Sequence, residues 1–222
     1  MNELIMRRRE MGVINLGTII EFTDDEFKRI CVENWGGATG GSTKVRGYDG
    51  ELTVEQAAKV TNIGTVFAGN TIMEEADFSI FPNVKTWPSR ALNGNTSLKK
   101  LIMPPITALS NGYSIASCSA LQEVRFQEGL TSTGYFAFNR SGNNMKLYMP
   151  TTLTLLHEYT LSTSGTATYL LHSDVGNFVG LKSNSRIVAI YVPDEYLANY
   201  QTYLTGVATL SKLHPMSEWV EP

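Results

Sequence analysis

"LKKLIMP" occupies residues 98–104. By itself it reads as a short, half-buried strand. Successive side chains of a strand point to opposite faces, so Leu101 and Met103 share one face and Lys100 and Ile102 the other. The pattern then returns, as "LQEVRFQ" at 121–127 and "MKLYMP" at 145–150. A shift of 23 residues superimposes Leu101, Val124, Leu147 and Leu170, and also Met103, Phe126 and Met149. The same shift aligns Leu92, Ile115, Phe138 and Leu161, then Val84, Thr107, Leu130 and Leu153, and it brings Tyr113 onto Phe136 and Tyr159. Two shifts bring Leu109 onto Leu155.

No gap is needed from residue 84 to residue 170, and a fixed period of this length is the signature of stacked structural units. Each unit supplies one strand, stopped by a proline at 104 or 150. A returning segment, such as Tyr113 and Ile115, fills the other side of the core. One unit cannot bury these groups alone; stacked units bury them against each other. An evenly stranded β-sandwich is the alternative, but nothing in a sandwich holds a constant period. The predicted fold class is α/β leaning mainly β, a solenoid of about five such coils with a small helical cap at each end.

The segments "NTSLKKLIMP", "FNRSGNNMKLYMP" and "SCSALQEVRF" resemble leucine-rich repeats of the BspA type, whose units run F-x-x-C-x-x-L-x-x-V-x-L-P. The resemblance extends over residues 76–193. It implies that Cys118 is a buried small residue of the core, with Asn95 and Ser141 in its place in the neighbouring units. It further implies a non-catalytic binding or adhesion module, extracellular or at a bacterial cell surface, with a protein or glycan partner. The opening "MNELIMRRREMG" is similar to the basic leaders of phage-associated proteins. That likeness supports the alternative of a virion-attached structural or receptor-binding protein, with other virion proteins as partners.

The flanking segments divide the chain into an arm at 1–21, a helical cap at 22–75, the repeats at 76–193 and a second cap at 194–222. In "FTDDEFKRICVENW" Thr23 and Glu26 make a capping-box pattern, Phe22 and Phe27 take the staple positions, and Phe27, Ile30, Cys31 and Trp35 share a face. A second helix is predicted from Thr53, with Gln56 closing its box. Between them, Asp49 and Gly50 imitate the centre of a calcium loop, which the resembling caps carry as "DTNGDGELSYEE". The ligand positions here hold Val45, Gly47 and Gln56, so no calcium is expected. Asp194 is predicted to cap a final helix with Tyr196, Leu197, Tyr200 and Leu204 as its apolar set. The ending "IYVPDEYLANY" with "MSEW" is similar to the closing segment of the same family.

Composition narrows the function further. With 42% hydrophobic and 18% charged residues the chain is globular, and a net charge of −3 gives no broad basic surface for nucleic acid. Arg7, Arg8 and Arg9 are read as a solvated tail or a packing anchor rather than a nucleic-acid site. Two cysteines make neither a disulfide scaffold nor a zinc site. No apolar run is long enough to insert in a membrane, and no reliable signal peptide is read. His157, His172 and His214 lack the spacing of a metal pair, no G-x-S-x-G elbow occurs, and "GGATGG" at 36–41 has no following Lys-Ser/Thr. No enzyme, metal or cofactor is therefore expected.

The strand face that points away from the core is the expected recognition surface. Carried through the 23-residue period, one outward row reads Lys100, Glu123, Lys146 and Tyr169, reaching Ala189. The other reads Ile102, Arg125, Tyr148, Leu171 and Tyr191. Tyrosine and arginine are enriched where proteins recognise partners, whereas a plain solvated sheet would also carry the Lys-Glu-Lys pairs.

Overall fold

The computed structural model describes residues 17–36, 50–109, 112–161, 165–182 and 185–221. The basic cluster at 7–9, the glycine run beyond Gly36, and positions 45 and 47 lie outside the described residues.

Two helices come first, α1 (Asp25–Trp35) and α2 (Val54–Ala57). The strands then follow as β1 (Glu75–Asp77), β2 (Thr86–Trp87), β3 (Lys100–Ile102), β4 (Ala108–Leu109), β5 (Glu123–Arg125), β6 (Met145–Met149) and β7 (Ala167–Leu171). After α3 (Val179–Lys182) come β8 (Ile187–Val192), α4 (Leu197–Tyr203) and β9 (Leu213–Pro215). Seven strands form one sheet in the order β1-β3-β5-β6-β7-β8-β9, and every pairing in it is parallel. A second row of parallel pairings starts with β2 and β4 and continues as bridges Ala108–Ser132, Ser132–Leu155 and Leu155–Asn177. The core fills the space between the two rows. The result is a mostly parallel repeat fold with few helices.

Inward positions Ala76, Leu101, Val124 and Leu147 lie side by side and are fully buried or nearly so. Thereafter the spacing changes. Leu147 pairs with Tyr169, one residue short of the period, and a register shift follows between Ala167 and Thr168 against β8. Losing one residue turns every side chain of a strand to the opposite face. Tyr169 and Leu171, expected outside, are therefore in the core at 1% and 0% exposure. Leu170, expected inside, joins the outward row between Tyr148 and Tyr191, and Thr168 takes the outward place given to Tyr169.

A second correction concerns the returning segment. Ile115 and Phe138 are buried, but Tyr113 and Tyr159 stand on the surface. Their rings sandwich Phe136 in a row, with centroids 6.0 and 5.7 Å apart and planes within 16°. Tyr113 and Phe136 both have φ of 56°, which swings the side chain out of the core path.

The position filled by Asn95, Cys118 and Ser141 is buried in all three units. Asn95 Nδ2 donates to the Phe67 carbonyl at 2.8 Å, Cys118 Sγ to that of Leu92 at 3.1 Å, and Ser141 Oγ to that of Ile115. A small polar donor here ties each unit to the turn of the preceding one by bonding one of its backbone carbonyls. Cys118 is thus structural, and burial pushes its thiol up to about 12.

At the N-terminal end Asp24, not Thr23, caps α1, accepting from Phe27 N at 2.8 Å. Its second oxygen accepts from Glu74 N and Glu75 N, so one carboxylate starts the helix and anchors the edge strand. Phe22 still meets Phe27, at 5.8 Å. The Thr53–Gln56 capping box on α2 forms as predicted. Phe27 and Phe67 both pack edge-on against Phe78 at 4.9 Å, joining α1 to the turn that follows the first strand.

At the other end the segment after residue 194 is not helical throughout, since β9 adds a seventh strand beside β8. Tyr200 of α4 and Leu204, its C-cap, are buried. Asp194 makes no capping bond on that helix and instead accepts from Ser217 N at 3.0 Å.

The register at β7 is directly testable by urea denaturation. Tyr169→Ala should cost about 3–5 kcal/mol, as for a large buried ring, and Leu147→Ala about 2–5 kcal/mol. A loss below about 0.5 kcal/mol for Tyr169→Ala would restore the uniform period and place the residue on the surface.

Candidate functional site

The outward row of the sheet runs Asp77, Ile102, Arg125, Tyr148, Leu170, Tyr191 and His214, one residue per strand. Beside it runs Glu75, Lys100, Glu123, Lys146, Thr168 and Ala189. Parallel pairing holds each residue about 4.8 Å from the next. Of the sequence-predicted face, Lys100, Ile102, Glu123, Arg125, Lys146, Tyr148 and Tyr191 are brought together as expected, while Tyr169 and Leu171 are not.

Arg125 is fixed from two sides. Its Nε donates to Glu123 at 2.6 Å, and its guanidinium carbon lies 3.9 Å over the Tyr148 ring. The stacking adds a cation–π attraction and leaves the remaining donors aimed outward. Those donors are in use. Nη2 donates to the carboxylate of Glu221 at 2.8 Å, and the Tyr148 hydroxyl donates to the same oxygen at 2.8 Å. Trp219 packs edge-on to Tyr191 at 4.9 Å, and Tyr191 stacks on His214 at 5.2 Å. Ser217 is held by Asp194, and His214 Nδ1 is 3.3 Å from Glu218.

Residues 216–221 therefore turn back from β9 and cross the outward face as a strap. From His214 to Arg125 is four strand spacings, about 19 Å. Residues 216–218 make one 3-10 turn, closed by Trp219 N donating to the Met216 carbonyl, and the long side chains of Arg125, Tyr148 and Glu221 close the remaining distance. Tyr148 and Leu170 lie in the row that this strap crosses and are only 8% and 1% exposed. Burial, and then the bond to Glu221, push the Tyr148 phenol up to about 12. The bonds from Tyr148 and then Arg125 hold the Glu221 carboxyl below its ordinary value.

Sequence reasoning missed Leu170, Trp219 and Glu221. The signal for Leu170 was the one-residue contraction after β6, hidden because leucines occupy both 170 and 171. The signal for the strap was faint: a tryptophan and two glutamates after the last strand phase.

Among the described residues, no three His, Cys, Asp or Glu side chains gather as a metal site would require. His157 packs against Tyr135 at 4.2 Å, His172 Nδ1 bonds the Met149 carbonyl at 2.7 Å, and His214 belongs to the strand face. No helix among the described residues is long and apolar enough to cross a membrane.

A sequence model of the BspA type leucine rich repeat region matches residues 52–168 with six copies. That span is more than half of the chain. The chain belongs to the BspA-type leucine-rich-repeat family. The match begins upstream of residue 76 and takes in α2, so repeat-like sequence extends into the segment expected to be a cap. It ends at Thr168, beside the register shift of β7. No curated protein matches the sequence. Members of this family are generally non-catalytic binding or adhesion repeats, typically surface-associated.

A depressed carboxylate supports the folded contact above its ordinary pKa and ceases to do so as pH falls through the lowered value. Acidification from about pH 4.3 downward should thus release the strap, read as a change in Trp219 emission that is absent in Glu221→Gln. An identical transition in Glu221→Gln would assign it to another group.

Proposed function

We propose that this BspA-type repeat is a non-catalytic recognition module that binds a protein or glycan partner through its outward strand face at a bacterial surface. The observation that carries this reading is the state of Arg125. A guanidinium clamped by Glu123 and laid over Tyr148 has already given up the side-chain freedom that binding would otherwise cost. Lys100, Ile102 and Lys146 extend the same face beyond the strap, each partly exposed. Such a mixture of cation, aromatic and aliphatic groups suits a partner carrying both apolar and acidic groups. Surface location is supported by the family's usual habit.

Arrays of immobilised extracellular proteins and glycans, probed with the labelled chain, test the reading. Saturable binding should weaken by about 2 kcal/mol, roughly thirtyfold, in Arg125→Ala combined with Tyr191→Ala. The melting temperature of the variant reports whether it is folded. Undiminished affinity in the folded double variant would remove the strand face from the account.

A further inference from the structure

The strap shows what the face can hold. Its contacts are a carboxylate on Arg125 and Tyr148 and an indole on Tyr191, two residues apart in one extended segment. Ser217, Glu218, Val220 and Glu221 are exposed, Val220 at 80%, and only Trp219 is partly buried among the last three described residues. The surface beneath is different. Tyr148 and Leu170 are almost wholly covered yet belong to the outward row, not to the core. The receptor side is thus rigid and well packed, whereas the occupant side is mostly in water and joined through an ion pair that solvent screens.

We propose that the Arg125–Tyr148–Tyr191 row is a docking site for an acidic peptide segment carrying an aromatic residue two positions before a carboxylate, and that residues 216–221 fill it in cis until such a segment replaces them. This rests on the strand-face reading and names its partner. Charge agrees with the assignment. Lys146 lies on the same strand and face as Tyr148, and Lys100 is two strands further along that row, so an incoming acidic segment longer than the strap meets two more cations. Glu123 does not oppose it, because its carboxylate is paired with Arg125 at 2.6 Å. The start of the strap is held at Asp194, after β8, which accepts from Ser217 N, and at His214 of β9, beside Glu218.

The test uses a labelled synthetic peptide, Met-Ser-Glu-Trp-Val-Glu, and fluorescence anisotropy. The chain carrying Trp219→Ala and Glu221→Ala should bind it at least tenfold more tightly than the unaltered chain, whose own strap competes. Adding Arg125→Ala should return affinity to the level of the unaltered chain or below. A peptide with its terminal Glu replaced by Gln and its Trp by Ala should not bind. The proposal is overturned if the folded double variant binds the peptide no better than the unaltered chain, or if Arg125→Ala leaves binding intact. Should the double variant fail to fold, Glu221→Ala alone gives the same comparison. If the folded double variant does not bind the peptide while the arrays still bind the chain, this inference fails and the recognition reading stands; if the peptide binds as expected while no array component does, the protein or glycan partner at a surface is lost and the docking row stands.

Discussion

Every other feature of this molecule depends on the parallel backbone pairing between one repeat and the next. Lys146 N donates to the Gln122 carbonyl, Glu123 N to that of Lys99, and Phe126 N to that of Tyr148. These bonds fix which residue of each strand faces in and which faces out. Because a repeat meets only its neighbours, register is set locally, strand by strand. A single contraction between β6 and β7 is therefore tolerated: it changes the faces of β7 without disturbing the strands before it. The buried donors Asn95, Cys118 and Ser141 serve the same end, binding each turn to its predecessor.

The repeat was legible in the sequence because its inward residues are large, apolar and periodic. Leu101, Val124 and Leu147 announce one row, and Leu92, Ile115 and Phe138 another. The small buried position at Cys118 was legible only through the family resemblance, since chemistry alone does not distinguish a core thiol from a reactive one. Two things were hidden. The segment 167–171, Ala-Thr-Tyr-Leu-Leu, offers apolar residues in either register, so pattern matching preferred the uniform period. The bulk of Tyr169 inside and the covering of Leu170 outside decide it in the fold. Tyr113 and Tyr159 misled for the reverse reason, being apolar and periodic but stacked on the surface. The strap was hidden because Arg125 and Glu221 are far apart in sequence, and no local pattern reports such a contact.

The same row of side chains explains both the order of the C-terminal segment and the face offered to a partner. Sheet geometry spaces Arg125, Tyr148, Leu170 and Tyr191 evenly, and the C-terminal segment crosses them with Trp219 on Tyr191 and Glu221 on Tyr148 and Arg125. A solvated sheet would need no such covering, because its outward positions would be polar throughout. Here Leu170 and Tyr148 create an apolar centre, and Arg125 marks its rim. That arrangement of an apolar centre with a polar rim is what recognition surfaces require.

Thiol labelling gives the most direct test that the outward row includes Leu170 and lies under the strap. The two native cysteines, Cys31 and Cys118, are buried and should react slowly, which leaves a clean background. A thiol introduced by Leu170→Cys should label slowly in the otherwise unaltered chain, and at least tenfold faster once Trp219→Ala and Glu221→Ala are added. In Leu171→Cys labelling should stay slow with or without the strap. Equal protection of both positions after the strap is disabled would place Leu170 in the core and contradict the account.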